Sequence, residues 1–169
     1  FLIQEKTCKV ILKEGNREQL LQMQNDFKLD LILTNSIPQL NNSVYETKLL
    51  RKEKLIVIGH PKYMGLKKNW PESLKGMPFI LPTYDSSTRQ KLDFYLKERN
   101  LIIDIIAEVE DKATEVDLAL KGHGLMMAMK STVSHLLAEK LLVEIGPLKN
   151  ISEEIWMVVG KRKLLNPIA

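Results

Sequence analysis

The residues whose types could do chemistry are three histidines, one cysteine and several short polar clusters. His60, His123 and His135 lie far apart and lack the HExxH spacing that sets two imidazoles on one helix face for zinc. Each reads as a surface or capping residue. Cys8 sits in a β-rich run with no base beside it, which suits packing rather than nucleophilic attack. One cysteine excludes an internal disulfide framework and a Cys-based zinc site, and suggests a reducing compartment. No GxSxG, GxxxxGKS/T or GxGxxG pattern occurs. Gly122-His123-Gly124 is too short for a phosphate loop and reads as a helix stop. No catalytic residue, metal or cofactor is expected, since no nucleophile–base pair is in view.

A more informative pattern is polar residues placed just after short apolar runs. Asn16 follows TCKVILKEG, and Thr34 and Asn35 follow DLIL. Ser86, Ser87 and Thr88 follow PFILP, and Glu110 and Asp111 follow the run from Ile102 to Val109. In open α/β sheets, ligands bind outside the carboxyl ends of strands, beside helix N-termini whose N–H groups favour anions and polar oxygens. A plainer reading makes Asn16 and Ser87 helix caps and the rest loop polarity. Spacing alone leaves the two readings balanced. Glu110 and Asp111 are by default a solvated turn, or alternatively oxygen donors for a hard cation.

These clusters need elements to hold them. Thr7–Lys13 reads as a strand, and Leu20, Met23 and Phe27 mark one face of a helix with Asn16 as N-cap and Gln19 closing a capping box. Asp30–Thr34 reads as a buried strand, so the first 35 residues predict a parallel strand–helix–strand unit. Ser36–Ser43 reads as loop. Two extended runs follow, Val44–Leu50 and Lys54–His60, separated by a charged break that suggests a chain crossing from one lobe to another. WPESLKG is one helical turn, opened by Pro71 and closed at Gly76. From Pro78 to Ile145 the order is β-α-β-α-β-α-β, a second parallel unit. Its expected helices are Ser87–Arg99, with Leu92, Tyr95 and Leu96 inward, then Thr114–Lys121, then Ser131–Glu139. A connector, Pro147–Ser152, leads to a last strand, Glu154–Lys161.

Composition sets wider bounds. The 169 residues carry 25 Lys+Arg against 21 Asp+Glu, a net charge of +4, with 44% hydrophobic residues. Those are globular values, too apolar for disorder. The charge is too mild to predict a nucleic-acid footprint, and the KRK run at Lys161–Lys163 reads as a solvated strand end. No apolar run is long enough to span a membrane. FLIQEKTCKV has no signal-peptide h-region and no initiating Met, so the chain is expected to be a piece of a longer protein.

The order VILKEGNREQLLQ, KLDLILT, LLRKEKLIVIGHPK, PFILPTYDSSTRQKLDFYL, VEDKATEVDLALKGHGLMMA and VEIGPLKNISEEIWMVV resembles the effector-binding domain of LysR-type transcriptional regulators over nearly the whole chain. TYDSSTRQKLDFYL, AEVED and VEIGPLKNISEE are similar to the sodium–proton antiporter activator (NhaR-type) subgroup. The resemblance implies an α/β fold of two Rossmann-like lobes, periplasmic-binding-protein-like of type 2, joined by crossover strands. Lobe I would be residues 1–50 plus 147–169, and lobe II residues 51–146. A small molecule or ion would bind between the lobes. The family lines its cleft at positions matching Asn16, Thr34, Asn35, Ser86, Ser87 and Thr88. It further implies a cytoplasmic homodimer or homotetramer that meets DNA through an N-terminal winged helix-turn-helix absent from this chain, and a dimer contact on the helix Thr88–Arg99. The rival readings are a periplasmic-type solute-binding protein, which shares the two-lobe architecture, and a small α/β enzyme.

Overall fold

A computed structural model describes residues 9–35 and 44–161. Cys8, the loop expected over 36–43, and Arg162 and Lys163 of the basic run lie outside the described residues. The chain divides into two units, Phe1–Arg51 with Glu154–Ala169, and Lys52–Glu153. In chain order the elements are α1 (Arg17–Asn25), β1 (Ile32–Thr34), β2 (Tyr45–Gly59), β3 (Pro78–Pro82), α2 (Ser87–Glu98), β4 (Asp104–Val109), α3 (Lys112–Leu120), β5 (Met126–Met129), α4 (Ser134–Ala138) and β6 (Val143–Gly160). Two stretches of 3-10 helix, Pro61–Asn69 and Glu72–Leu74, fill the span between β2 and β3.

The first unit packs α1 against β1 and the last part of β6. Its core is Ile32, Tyr45 and Val158, with Leu20, Leu21 and Leu29 against them. The helix opens as expected: Asn16 Oδ1 accepts the Gln19 N–H at 3.0 Å and Gln19 Oε1 accepts the Asn16 N–H at 3.2 Å. It ends earlier than its apolar spacing implies. Phe27 lies beyond the last turn at φ 59° and is exposed, while Gln24 takes the buried position and donates to the Val158 carbonyl at 3.0 Å. That hydrogen bond satisfies the amide nitrogen and offsets part of the burial cost, while the Gln24 Oε1 is buried without a partner.

The parallel strand–helix–strand unit is not formed among the described residues. Lys9–Lys13 is not a strand, and Leu12 is 85% exposed. β1 pairs antiparallel with β6, with Ile32 opposite Val158. An apolar run becomes a strand only where a ladder partner meets it, and intrinsic preference does not supply one.

The two extended runs either side of Arg51–Lys54 are one continuous strand, β2. The charges do not break it, because their side chains stay largely outside the core while Leu55–Ile58 are buried. The expected final strands and their connector are likewise one strand, β6, with Asn150 at φ 65°. The first passage between units falls inside β2 at Arg51–Lys52, and the return inside β6 at Glu153–Glu154, further along than the 146/147 boundary drawn above. β6 and β2 are neighbours in the strand order β1-β6-β2-β5.

The second unit has a core of Ile56, Ile58, Ile80, Ala119, Met126 and Leu142 among others, with Val109 and Val116 packed on it. β3 and β4 are parallel, Pro82 opposite Val109, and Leu125 bridges parallel to β3 at Phe79. The unit is not wholly parallel, however: β5 runs antiparallel to β2, with Ile56 opposite Ala128. Its near-continuous apolar run signals burial on both faces and carries no information about direction. Gly122 ends α3 at φ 78°. At Gly124 a Cβ would stand 3.0 Å from the Pro78 carbonyl oxygen, so glycine lets Leu125 reach β3. Ser131 does not cap α4, which starts after Val133; the Ser134 hydroxyl instead bonds the Ser131 carbonyl.

A methyl at Gly146 would come within 2.4 Å of the Trp70 ring, whereas nothing lies within 4 Å of one at Gly65. Gly146→Ala is therefore expected to cost about 1–3 kcal/mol through overpacking, and Gly65→Ala very little. Urea denaturation midpoints of the two variants check this.

Candidate functional site

In the second unit the candidate residues gather at the carboxyl ends of two parallel strands. β3 ends at Pro82 and β4 at Val109, side by side in register. The loop after β3 leads to Ser86, Ser87 and Thr88 at the start of α2, and the turn after β4 holds Glu110 and Asp111 at the start of α3. Parallel strands place these two loops on one edge, where helix N-termini offer unsatisfied N–H groups.

The α2 terminus differs in detail from the expected cap. Ser86, not Ser87, is the N-cap, and its side chain makes no capping hydrogen bond. The loop closes on itself first. The Thr83 hydroxyl donates to Asp85 at 2.6 Å, the Ser86 N–H reaches the Thr83 carbonyl, and the Gln90 side chain bonds the Tyr84 carbonyl rather than closing a box. Thr88 is buried. Ser87 lines a groove of about 610 Å³ along α2, with Lys91, Phe94, Tyr95, Arg99 and Asn150. There the Arg99 guanidinium stacks 3.9 Å from the Tyr95 ring centre.

At α3, Asp111 is the N-cap. Its Oδ1 accepts the Ala113 N–H at 2.8 Å and the Thr114 N–H at 3.0 Å. Hydrogen bonds from Thr114, with a smaller one from Ala113, hold its carboxyl below the ordinary Asp range. Asp111 is thus an exposed helix cap, because the free N–H groups of the first turn seek an acceptor. Glu110 beside it is exposed. Among the described residues, no three His, Cys, Asp or Glu side chains are grouped to hold a metal.

An arginine that the sequence reading passed over joins the two strand ends. Arg89, 5% exposed, donates from Nε to both Asp93 oxygens at 3.0 Å, and from Nη1 to Glu108 at 2.6 Å and to the Pro82 carbonyl at 3.0 Å. Burial pulls its pKa down, but the hydrogen bonds and charges of Glu108 and Asp93 outweigh that and leave it raised. Arg89 so fixes the last residue of β3 to β4, the strand that feeds the other loop. The i,i+4 spacing of Arg89 and Asp93 was the available signal. Nothing local pointed to Glu108, which is 19 residues away.

In the first unit, Thr34 and Asn35 line a cavity of about 400 Å³ with Gly15, Arg17, Leu20 and Ile32. Asn16 lies at the same helix start, but its side-chain oxygen and backbone N–H are both committed to the capping box. His60 is a cap, its Nδ1 accepting the Lys62 N–H at 3.2 Å.

The LysR substrate binding domain family model matches residues 3–169. The chain belongs to that family. It is similar in structure to a LysR family transcriptional regulator at 18% identity and a TM-score of 0.74, covering 95% of this chain and 55% of that one. The chain thus spans just over half the length of that regulator. It is also similar to the apo regulatory domain of HypT from Salmonella typhimurium (10% identity, TM-score 0.76, 99% and 81% of the two chains). A third likeness is to the Synechocystis PCC6803 CcmR regulatory domain in complex with 2-PG (16%, 0.68, 99% and 81%). No curated protein matches the chain. The fold is that of the two-lobed LysR substrate-binding domain, mixed α/β, as the residue order implied.

The Arg89 cluster yields an ordering of variants. Asp93 and Glu108 are partly exposed and can turn to water when Arg89 is removed, but Arg89 cannot follow if they are removed. An unpaired buried charge is the costlier remnant. The double variant Asp93→Asn with Glu108→Gln is expected to lower the urea midpoint more than Arg89→Met does.

Proposed function

We propose that this chain is the effector-sensing regulatory domain of a bacterial LysR-type transcriptional regulator. It takes a small molecule or ion at the polar helix starts and so controls DNA binding by a separate N-terminal domain of the full protein. Membership of the LysR substrate-binding family over residues 3–169 carries this reading. The candidate ligand groups are Asn16, Thr34 and Asn35 in the first unit and Ser86, Ser87, Thr88, Glu110 and Asp111 in the second. Their support is their place beside helix N-termini and, for the second unit, after two neighbouring parallel strands. The hydroxyl of Ser86, unused as a cap, is available to a ligand. That one similar regulatory domain is in complex with 2-PG favours a small anion.

The finer reading is a cytoplasmic activator of the sodium–proton antiporter type, responding to sodium and acting as a homodimer or homotetramer. Its support is the residue pattern TYDSSTRQKLDFYL, AEVED and VEIGPLKNISEE. The groove on α2, with its exposed Phe94, is the candidate contact between copies. No enzymatic role is proposed, since LysR-type proteins are regulators. No helix in the described residues is long and apolar enough to cross a membrane.

A ligand shifts a regulator only through different affinity for two of its states. The test is a thermal-shift screen of small organic acids and of sodium against potassium salts. A true effector at 100 times its dissociation constant adds about 2.7 kcal/mol of stability. If the effector is an anion, Ser86→Ala and Thr88→Ala are expected to abolish the shift while Asp111→Asn keeps it; a cation reverses the pattern. Full response in all three variants overturns the site assignment. Sequence-specific DNA binding by this chain alone overturns the assignment of DNA contact to a separate domain.

A further inference from the structure

Glu115 has no part in the effector reading, yet it is the most deeply buried ionisable side chain among the described residues, 1% exposed on the inner face of α3 beside Ala119. Its Oε2 accepts from Lys112 Nζ, which also donates to the Met127 carbonyl of β5 at 3.2 Å. Its Oε1 is buried with no hydrogen-bond partner. A buried oxygen left without a donor is costly for a carboxylate and much less so for a neutral carboxyl group. The site is therefore built for a proton as well as for an ion pair.

We propose that Glu115 is a proton-binding switch: it takes up and releases a proton as pH changes, and its state decides whether Lys112 is held in an ion pair or released. Lys112 is 54% exposed along its side chain, so on release its ammonium can turn to water. The surroundings fit this use. Of the strands packed on α3, β3 and β5 bring no ionisable side chain. β4 brings Asp104 at its far end and Glu108, which is committed to Arg89. β6 brings Glu153, and α3 itself brings Lys112 and the capping Asp111. Burial raises the Glu115 pKa above the ordinary Glu value, and the charges of Glu153 and Asp111 add to this. Lys112 opposes them without cancelling them. A raised pKa means that the folded chain holds this proton where the unfolded chain has lost it. The stability that Glu115 contributes is full below the ordinary Glu value and is lost as pH rises through the raised one.

The test is a carbon-13 NMR titration of the glutamate carboxyl groups in the 169-residue chain, with Glu115→Gln identifying the resonance. The expected midpoint lies above the ordinary glutamate range. Lys112→Met removes the opposing charge and is expected to move the midpoint up; Glu153→Gln removes a like charge and is expected to move it down. If Glu115→Gln does not fold, these opposite shifts identify the resonance instead. Where it folds, it is expected to flatten the fall in urea midpoint with rising pH that is expected of the parent. A midpoint in the ordinary range, or one that neither neighbouring variant moves, overturns the proposal. The outcome does not depend on the effector reading.

Discussion

Two long strands serve two cores at once, and that requirement shapes the rest of the molecule. β2 lends Tyr45 to the core of the first unit and Leu55–Ile58 to the interior of the second. β6 does the same in reverse, with Ile145 buried in the second unit and Val158 in the first. A strand's backbone groups must be paired wherever it is buried. Because β6 and β2 are neighbours, each helps satisfy the other. The charged middle of β2, Arg51–Lys54, can then pass through as regular strand without entering either core.

Within the second unit the same logic is repeated on a smaller scale. Parallel pairing of β3 and β4 sends both chain exits to one edge, and a buried arginine clamps the exits together. A guanidinium suits this job because its donors point in fixed directions and stay charged at any pH the protein meets. Arg89 donates to a neighbour on its own helix, to Glu108 of β4 and to the carbonyl that ends β3. The candidate ligand groups at the starts of α2 and α3 inherit their placement from that clamp. Asp111, bonded to two N–H groups, and Ser86, bonded to none as a cap, then offer different chemistry from similar positions.

Glu115 stands apart from both arrangements. It occupies a place on α3 where the helix faces the core, and one of its oxygens has nothing to bond. Buried polar groups are nearly always paired, so an orphan of this kind calls for a chemical reason. Proton binding supplies one that the neighbouring charges can tune.

By itself the sequence determined what is local. Asn16 with Gln19 closes its capping box; Leu92, Tyr95 and Leu96 face inward on α2; Gly122 stops α3; PFILP is a buried strand. Each depends on neighbours within a few residues, where side-chain spacing and backbone geometry carry the information. The residue order also carried the family resemblance that the match over 3–169 bears out. Tertiary structure decided what depends on partners far along the chain. VILK is strand-like in type but has no ladder where it lies, and MMAM pairs antiparallel because β2 is the strand beside it. Phe27 reads as core and Gln24 as surface until the Val158 carbonyl gives the glutamine its hydrogen bond. Arg89 meets Glu108 only because two parallel strands end together. Hydrophobic periodicity records which faces seek burial, whereas strand direction, polar pairing and the cost of an unpaired charge are set by groups that folding alone brings within reach.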